Sequence, residues 1–422
     1  MRILYLHQYF NTPDMSGGTR SYEMARRLVA AGHEVHMVTS ERSRGSSRGW
    51  RTEVVDGITV HWYPVSYDNT MSFRRRILAF LAFAVAAARR ATAVGGDVVF
   101  ATSTPLTIAI PAVLAKRRLR VPMVFEVRDL WPEMPIAVGA LENPLLRRAA
   151  YALERWAYRN SHAVVALSPG MAAGVVRTGY DRDRVTVIPN SCDLDLFDVG
   201  AEAGRAFRAQ REWLGDRPLV LYAGTFGHVN DVSYLVRVAK EMAVIDPSVA
   251  FLAMGDGVEA SKVKDLAAEA GVLDRTFFWE PPVPKVSMPA VLSAATVCTS
   301  LFAPIPEMES NSANKFFDAL AASRPVAINY GGWQADLVRD NGMGVVLPRE
   351  AREAAGRLAD LLARPQGLQD AGRAARALGE TVFGRDRLAA QLLDVLVTAG
   401  SGARDVPDQR EVGSAAPPSS LR

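Results

Sequence analysis

Short apolar runs alternate with helix-like segments along almost the whole chain, and this alternation limits the folds open to it. Successive parallel strands need a crossover between them, which is usually a helix. Strands that alternate with helices therefore predict an α/β fold built on doubly wound parallel sheets. The apolar runs are, in chain order, residues 3–6, 35–39, 58–63, 98–101, 123–127 and 185–188, then LVLYAG, VAFLAMG, RTFFW, TVCTSLF, PVAINY and GVVLP.

The alternation restarts once, which predicts two Rossmann-like domains, and 422 residues are enough for them. We expect an N-terminal domain over residues 1–198, a polar linker over 199–217 and a C-terminal domain over 218–382. A helix at 383–398 is expected to pack back on the N-terminal domain. Residues 399–422, rich in Gly, Ser, Pro and charge, are expected to be disordered. In such sheets, ligands bind beyond the carboxyl ends of the strands.

Composition excludes several classes of protein. Hydrophobic residues make up 49% and charged residues 22%, as in an average globular protein, so a disordered, collagen-like or disulfide-scaffold chain is excluded. The two cysteines, Cys192 and Cys298, lie in unrelated contexts, and no Cys/His spacing resembles a metal site. We therefore expect no metal and a reducing compartment. The first ten residues, MRILYLHQYF, lack the features of a signal peptide, which predicts a cytosolic protein.

Positive charge is concentrated in the first half of the chain. The net charge is +4, and from Arg74 to Arg120 nine basic residues accompany one acid, Asp97. Such a cluster favours an anionic partner, although a solvated basic face gives the same pattern. Within it lies an apolar core, Ile77–Ala88, which as a helix is about 18 Å long, against a hydrocarbon thickness of about 30 Å. It is too short to span a membrane, so it is either a buried sheet-flanking helix or an interfacial one.

The segment SNSANKFFDALAASRPVAI predicts an anion site. Ser310 or Ser312 is expected to cap a helix that runs through Ala322, and a helix N-terminus offers free N–H groups to an anion. Lys315 falls in the first turn, where a cation opposes the helix dipole unless an anion is bound. This favours a phosphate there. Alternatively, Lys315 faces solvent and pairs with Asp318 three residues on.

A second cluster of charge follows a predicted strand, in the string FEVRDLWPE. The strand Met123–Val127 ends in Arg128 and Asp129, and Glu133 follows. Side chains at the carboxyl end of a parallel strand lie at the ligand-binding edge of the sheet, which predicts a functional role for these charges. The alternative is a structural Arg–Asp pair, with Trp131 packed beside it.

Strings spread over almost the whole chain resemble the retaining GT-B glycosyltransferases of family four. Asp318 and the residues after it resemble the second half of that family's nucleotide-sugar motif, in which two acids are separated by seven residues. Two strings, FEVRDLWPE and NKFFDALAASRPV, look most like the WbuB-type branch, which acts on lipid-linked sugars in O-antigen or capsule assembly. The other strings are GGTRSYEMARRLVAAGHEV, VIPNSCDLDLF, LYAGTFG and MGDGVEASKVKDLA.

The chain departs from the family pattern at several positions. Ser310 stands where the first acid is expected, with Glu309 one position out of register. Thr225 and Asn230 stand where the family has cations that contact the donor diphosphate. Under this resemblance, Lys315 supplies the missing counter-charge.

The resemblance implies a GT-B fold of two Rossmann-like domains facing a cleft. It implies sugar transfer, with retention, from a nucleotide sugar, most simply UDP-linked, to an undecaprenyl-type lipid-linked acceptor. It implies no metal, cofactor or nucleic acid, and a location on the inner face of the cell membrane, in contact with anionic lipid. It places the nucleobase near residues 281–283 and the ribose at Asp318. The implied donor-binding residues are Gly17, Gly18, Gly224, Thr225, Asn314, Lys315 and Asp318, and the implied catalytic residues are Arg128, Asp129 and Glu133.

Three alternatives remain open from the sequence. The glycine pair Gly17–Gly18 lets a backbone approach a phosphate, but a simple turn also needs glycine. An epimerase with the same fold would act on the nucleotide sugar itself. A non-catalytic nucleotide-sugar-binding partner in polysaccharide assembly would retain the fold and the donor site alone.

Overall fold

The computed structural model describes residues 1–15, 17–41, 49–65 and 73–401. The chain forms two compact units. The first contains Met1–Asn11, Thr19–Pro189 and the chain from Asp386 onward, and the second contains Thr12–Gly18 and Asn190–Arg385. Each unit has its own sheet, so the predicted α/β class with two Rossmann-like domains is confirmed.

The sheet of the first unit has eight strands, in the order β3-β4-β2-β1-β5-β6-β7-β8. All pairings are parallel except that of β3 with β4, which is antiparallel at one edge. The strands are β1 (Arg2–Leu6), β2 (Glu34–Glu41), β3 (Arg51–Val55), β4 (Ile58–Pro64), β5 (Val98–Thr102), β6 (Met123–Val127), β7 (Ala163–Ala166) and β8 (Val185–Val187). The helices are α1 (Arg20–Ala30), α2 (Phe73–Val94), α3 (Ala109–Leu119), α4 (Glu133–Ala137), α5 (Pro144–Asn160) and α6 (Pro169–Arg177).

The sheet of the second unit has six parallel strands, in the order β11-β10-β9-β12-β13-β14. The strands are β9 (Leu219–Ala223), β10 (Ala250–Met254), β11 (Phe277–Glu280), β12 (Val297–Ser300), β13 (Val326–Ile328) and β14 (Gly344–Val346). The helices are α7 (Leu194–Phe197), α8 (Ala201–Ala209), α9 (Val232–Ile245), α10 (Ala260–Glu269), α11 (Met288–Ala294), α12 (Asn314–Ala321), α13 (Trp333–Asp340), α14 (Ala351–Leu362) and α15 (Pro365–Thr381).

The central strands explain why the sequence reads as short apolar runs. Every residue of β5, β6 and β10 is buried, because helices cover both faces of each sheet. The predicted strand over 123–127 coincides with β6. Glu126 of β6 is a charged residue among these apolar ones. It is also buried, at 0% exposed, and forms an ion pair with Arg20 of α1.

The segment predicted as a linker, 199–217, is not one, since it contains α8. Gly204 of this helix packs against α11, where a Cβ would lie 2.6 Å from the Ser293 carbonyl oxygen. The Arg208 guanidinium donates to the Ala294 carbonyl. The sequence did not predict this helix because the segment is mostly polar. Only a narrow stripe of α8, around Gly204 and Phe207, is buried.

The last described helix, α16 (Arg385–Ser401), lies mostly in the first unit. Leu388, Leu392 and Leu396 pack in the same core cluster as Ile3 and Tyr5 of β1. Residues 399–401 continue this helix, whereas they were expected to begin a disordered tail. Residues 402–422 lie outside the described residues, as does most of the polar loop after β2. Among the helices that the structure describes, none has the combined length and apolar character required to cross a membrane.

Candidate functional site

The first turn of α12 holds an enclosed cation. The Lys315 ammonium lies 3.1 Å from the Tyr222 hydroxyl oxygen and 4.4 Å from the centre of the Tyr222 ring. Burial lowers the pKa of this ammonium to about 8. Within the described parts of the chain, no carboxylate forms an ion pair with Lys315, so the cation is held without an internal anion. Its position at a helix N-terminus therefore favours an external anion.

The loop after β9 closes around the same ammonium. A Cβ on Gly224 would lie 3.1 Å from Lys315 Nζ, so a glycine there leaves room beside the cation. The Tyr222 hydroxyl donates to the Thr225 carbonyl and fixes the loop. Gly255, at φ +151°, lets the next loop approach so closely that a Cβ would lie 1.9 Å from the Gly224 carbonyl oxygen.

The alternative interpretation required Asp318 to pair with Lys315, but it pairs with another lysine. Its Oδ1 lies 2.5 Å from Nζ of Lys285, which belongs to the short 3₁₀ turn Lys285–Ser287. Burial raises the pKa of the Asp318 carboxyl, and the Lys285 ammonium opposes that shift. The two charged side chains of α12 therefore have different partners, and only Asp318 is ion-paired.

The N-terminus of α12 is not capped by serine. Its N-cap residue is Ala313, and no side chain caps it. The Ser312 hydroxyl instead accepts from the Asn190 backbone N–H at 3.1 Å, and Ser310 lies in the preceding 3₁₀ turn. This long-range bond replaces the expected capping bond, so that in the described part of the chain the N-cap position of α12 makes no side-chain cap.

The glycine pair 17–18 is brought to the same helix end. A Cβ on Gly18 would lie 3.0 Å from the Asn314 side-chain nitrogen, and both residues belong to the second unit. Gly17 is exposed, and its φ of +119° is disfavoured for other residues. Of the predicted donor residues, Gly18, Gly224, Thr225, Asn314 and Lys315 thus surround the start of α12.

In the first unit, Arg128 and Asp129 follow β6 at the carboxyl end of the sheet. An Nη of Arg128 lies 3.2 Å from Nε2 of His7, which follows β1. The Thr104 hydroxyl donates to Asp129 at 3.0 Å. Burial raises the pKa of the Asp129 carboxyl, while Arg128 and the Thr104 hydroxyl oppose the rise. Among the described residues no ion pair joins Arg128 to Asp129, so the simple Arg–Asp pair is wrong.

Glu133 does not share the contacts of Arg128 and Asp129. No hydrogen bond or ion pair links it to Arg128 or Asp129 in the described part of the chain, and its buried Oε2 has no hydrogen-bond partner. Its charge acts instead on Glu154 of α5, which is 1% exposed. Burial first, and Glu133 second, raise the pKa of Glu154 to about 8. The structure therefore places Arg128 and Asp129 close enough to interact electrostatically, whereas the recorded effect of the Glu133 charge is to disfavour ionisation of Glu154.

Replacing Glu154 with glutamine is expected to remove a pH-dependent loss of stability. Between its ordinary pKa and about 8, Glu154 is ionised in the unfolded chain but protonated in the folded one, so stability falls as pH rises through this window. We expect Glu154→Gln to raise the free energy of unfolding at pH 8.5, by on the order of a few kcal/mol, and to change it little at pH 4.5. Urea denaturation at both pH values measures this, with the exposed Glu142→Gln as control. Equal effects at both pH values would contradict the prediction.

Two residues of these sites escaped sequence reasoning. His7 follows β1 at the same sheet edge as Arg128. Because ligands bind beyond the carboxyl ends of parallel strands, its position after a predicted strand was a signal that could have identified it. Lys285 gave no signal, because its contact with Asp318 joins residues 33 positions apart.

The comparisons with known proteins agree with this architecture. Residues 17–191 match the glycosyl transferase 4-like domain, and residues 205–378 match the glycosyl transferases group 1 family. A D-inositol 3-phosphate glycosyltransferase of Xylanimonas cellulosilytica is 28% identical over 403 residues, covering 91% of this chain and 92% of the relative. An enzyme of the same name from Nocardia farcinica is 27% identical over 56% of this chain, and the match spans about half (52%) of that relative.

Solved structures share the fold. Sucrose-phosphate synthase of Thermosynechococcus elongatus superposes with a TM-score of 0.78 at 18% identity, covering 95% of this chain and 100% of that one. HepE of Anabaena, in complex with UDP-glucose, gives a TM-score of 0.71 at 16% identity, covering 94% and 100%. These likenesses confirm the GT-B type of two Rossmann-like domains. The chain therefore belongs to the glycosyltransferases, with a glycosyl transferase 4-like domain followed by a group 1 domain.

Proposed function

We propose that this protein transfers a sugar, with retention, from a UDP-linked donor to a lipid-linked saccharide in cell-surface polysaccharide assembly. The observation that carries the donor half is Lys315, an enclosed cation that has no carboxylate partner among the described residues and lies at a helix N-terminus whose N-cap residue makes no side-chain cap. A diphosphate supplies the anion that this site lacks. The UDP-glucose complex of HepE, which has the same fold, supports a uridine nucleotide.

Each donor-binding residue is assigned to one part of the nucleotide sugar according to its chemistry. Lys315 and the first N–H groups of α12 hold the diphosphate and stabilise the negative charge that grows on it as the bond to the sugar breaks. Gly224 and Thr225 give the diphosphate a close backbone approach beside Lys315, and Gly18 does so beside Asn314. Gly17 provides the turn into this loop. Asp318 accepts from the ribose.

The acceptor side is assigned to Arg128, Asp129 and Glu133 in the first unit. In the reaction, the bond between the sugar carbon and the diphosphate oxygen breaks and leaves its electron pair on that oxygen. The acceptor oxygen bonds to the sugar carbon, and its proton passes to the departing diphosphate. Asp129, held by Thr104, orients the acceptor hydroxyl, and Arg128 contributes positive charge at the reacting end. The assignment of Glu133 has the least support, because its charge acts on Glu154 and no hydrogen bond within the described residues links it to Arg128 or Asp129.

A membrane-facing surface is proposed on the first unit. Helix α2 is half-buried: Phe83 and Ala87 lie in the core, while Leu78, Leu81 and Val85, the apolar stripe, are 65%, 43% and 56% exposed. Helix α2 packs beside α3, and α3 beside α5. These neighbours add further exposed leucines next to basic residues, namely Leu114 with Lys116, Arg117 and Arg118, and Leu145 and Leu146 with Arg147 and Arg148. Such a mixture suits an anionic membrane surface and supports the proposed location on the inner face of the cell membrane.

Removing the apolar stripe is expected to release the protein from membranes. We expect Leu78→Gln/Leu81→Gln/Val85→Gln to lower binding to phosphatidylglycerol vesicles at least about fivefold, since each buried apolar side chain contributes about 1.5 kcal/mol or more. Vesicle sedimentation at 0.1 M and 0.5 M salt measures this, and the apolar part of wild-type binding should survive the higher salt. The control is Val244→Gln/Ile245→Gln, which removes an exposed apolar pair of α9. Equal losses in both variants would contradict the surface.

The proposed activity is tested by incubating the protein with UDP-, GDP- and ADP-sugars, with and without undecaprenyl-linked saccharide acceptors. Sugar transfer that requires the acceptor supports the proposal, and the anomeric configuration of the product tests retention. Conversion of the nucleotide sugar without acceptor would indicate an epimerase instead. Binding without any turnover, across the full panel, would indicate a non-catalytic partner.

A further inference from the structure

Lys285 is not among the candidate site residues named from the sequence, although it closely follows residues 281–283, where the resemblance places the nucleobase. It follows β11 after a proline-rich segment, and its ammonium is held between the Asp318 carboxylate, at 2.5 Å, and the Phe197 ring, 4.9 Å from the ring centre. The Lys285 and Asp318 side chains are 14% and 17% exposed, so the pair is shielded but still reachable. An ion pair of this kind is preformed, because both partners are already held by packing.

The pair leaves hydrogen-bonding capacity on both members. Lys285 engages Oδ1 of Asp318, and the described residues provide no hydrogen bond to Oδ2. An ammonium has three N–H donors, and one of them is used by the carboxylate. The pair therefore presents one free acceptor beside at least one free donor, a pattern that complements two adjacent hydroxyl groups.

Lys285 is the main cation that favours the charged form of Asp318. Burial raises the pKa of the Asp318 carboxyl, and the Lys285 ammonium opposes this shift through its charge and its hydrogen bond. A second ion pair, Asp193 with Arg385, has a mixed and smaller effect, because the Asp193 charge raises the pKa of Asp318 and the Arg385 charge lowers it. Lys285 thus favours the ionised acceptor form of Asp318 in a partly buried place.

We propose that Lys285 is a donor-binding and specificity-determining residue, which with Asp318 recognises the adjacent 2′- and 3′-hydroxyls of the nucleoside. The 3′-hydroxyl donates to Asp318 Oδ2, and the 2′-hydroxyl accepts from Lys285 Nζ. The substrate class is then a ribonucleoside diphosphate sugar, because a 2′-deoxyribose leaves one of these polar groups unpaired. The inference rests on the proposed donor site at α12.

The test is calorimetric titration of UDP and 2′-deoxy-UDP into the whole protein and its variants. We expect the wild-type protein to bind UDP at least about tenfold more tightly than 2′-deoxy-UDP. In Lys285→Met this ratio should fall to about threefold or less, whereas Lys285→Arg, which keeps the cation, should retain most of it. The control, Lys240→Met, removes an exposed lysine of α9 and should leave the ratio unchanged.

The outcomes separate the inference from the proposed function. If the wild-type protein binds UDP but the ratio is the same in Lys285→Met, the role of Lys285 is overturned while the donor site stands. If the wild-type protein binds no nucleoside diphosphate, the donor site itself is wrong and the inference falls with it. Thermal denaturation checks that the variants fold, and Lys285→Gln, which keeps a polar side chain, replaces Lys285→Met if that variant does not.

Discussion

Replacing Lys315 with alanine is expected to raise the dissociation constant for UDP by about 10- to 100-fold, because hydrogen bonds to charged groups contribute about 1.5–3 kcal/mol. The ammonium is enclosed by Tyr222 and Gly224 and has no internal anion within the described chain. Its main electrostatic partner is therefore the ligand. Calorimetric titration measures the change, with the exposed Lys240→Ala as control.

The buried charge of Lys315 is expected to lower the free energy of unfolding of the ligand-free protein. Burial lowers the pKa of its ammonium to about 8, so between pH 8 and its ordinary value of 10.5 the unfolded chain binds more protons than the folded one. Stability then rises with pH through that window, and at pH 7 the folded protein carries the full cost of enclosing the charge. Lys315→Met should therefore raise the unfolding temperature at pH 7 while weakening UDP binding. A structural lysine would give a loss of both.

The affinity for UDP should also fall as pH rises above about 8. In the free protein Lys315 loses its proton there, and the neutral amine must be reprotonated before it can hold a diphosphate. Titration at pH 7, 8 and 9 measures this, and the trend should be absent in Lys315→Ala. An unchanged trend in that variant would assign the pH dependence to another group.

The fold was predictable because both sheets are covered on both faces. A strand such as β6 is buried along its whole length, which forces an apolar run that can be read without knowledge of its neighbours. Helix α8 was missed for the opposite reason: it buries only a narrow stripe against α11, and its remaining residues are polar. Local composition therefore predicts the strands that are buried on both faces, but not a surface helix that buries only a narrow stripe.

The site was predictable only in its local part. The placement of Lys315 in the first turn of a helix follows from nearby residues, and the structure agrees. Its contact with Tyr222 joins residues 93 positions apart, and that of Ser312 with Asn190 joins residues 122 apart. Such distant contacts decided which charge stayed free. Lys285 pairs with Asp318, Asn190 bonds to the expected capping serine Ser312, and within the described residues Lys315 has no carboxylate partner.

Glu126 carries the largest expected effect on stability. Its carboxylate is 0% exposed and accepts from Arg20 at 2.8 and 3.0 Å and from the Thr102 hydroxyl at 2.7 Å. Arg20 also donates to the carbonyls of Ile188 and Pro189, so one ion pair ties the start of α1 and the end of β8 to the centre of the sheet. Glu126→Ala leaves the Arg20 charge buried without its counter-ion, which costs about 3–5 kcal/mol. Against a total stability of about 5–15 kcal/mol, the variant should unfold at a markedly lower urea concentration.

The double variant separates the cost of an orphaned charge from the value of the pair itself. In Arg20→Met/Glu126→Leu no charge remains buried, so we expect most of the loss in Glu126→Ala to be recovered, because an apolar replacement of a buried pair is often neutral or better. The exposed Glu142→Ala should leave the free energy of unfolding within about 0.5 kcal/mol of the wild-type value. If the double variant is as unstable as Glu126→Ala, the pair stabilises the first unit through its hydrogen bonds to β8 rather than through charge compensation. The Ile188 and Pro189 carbonyls, which lose their donor in that variant, would then account for the deficit.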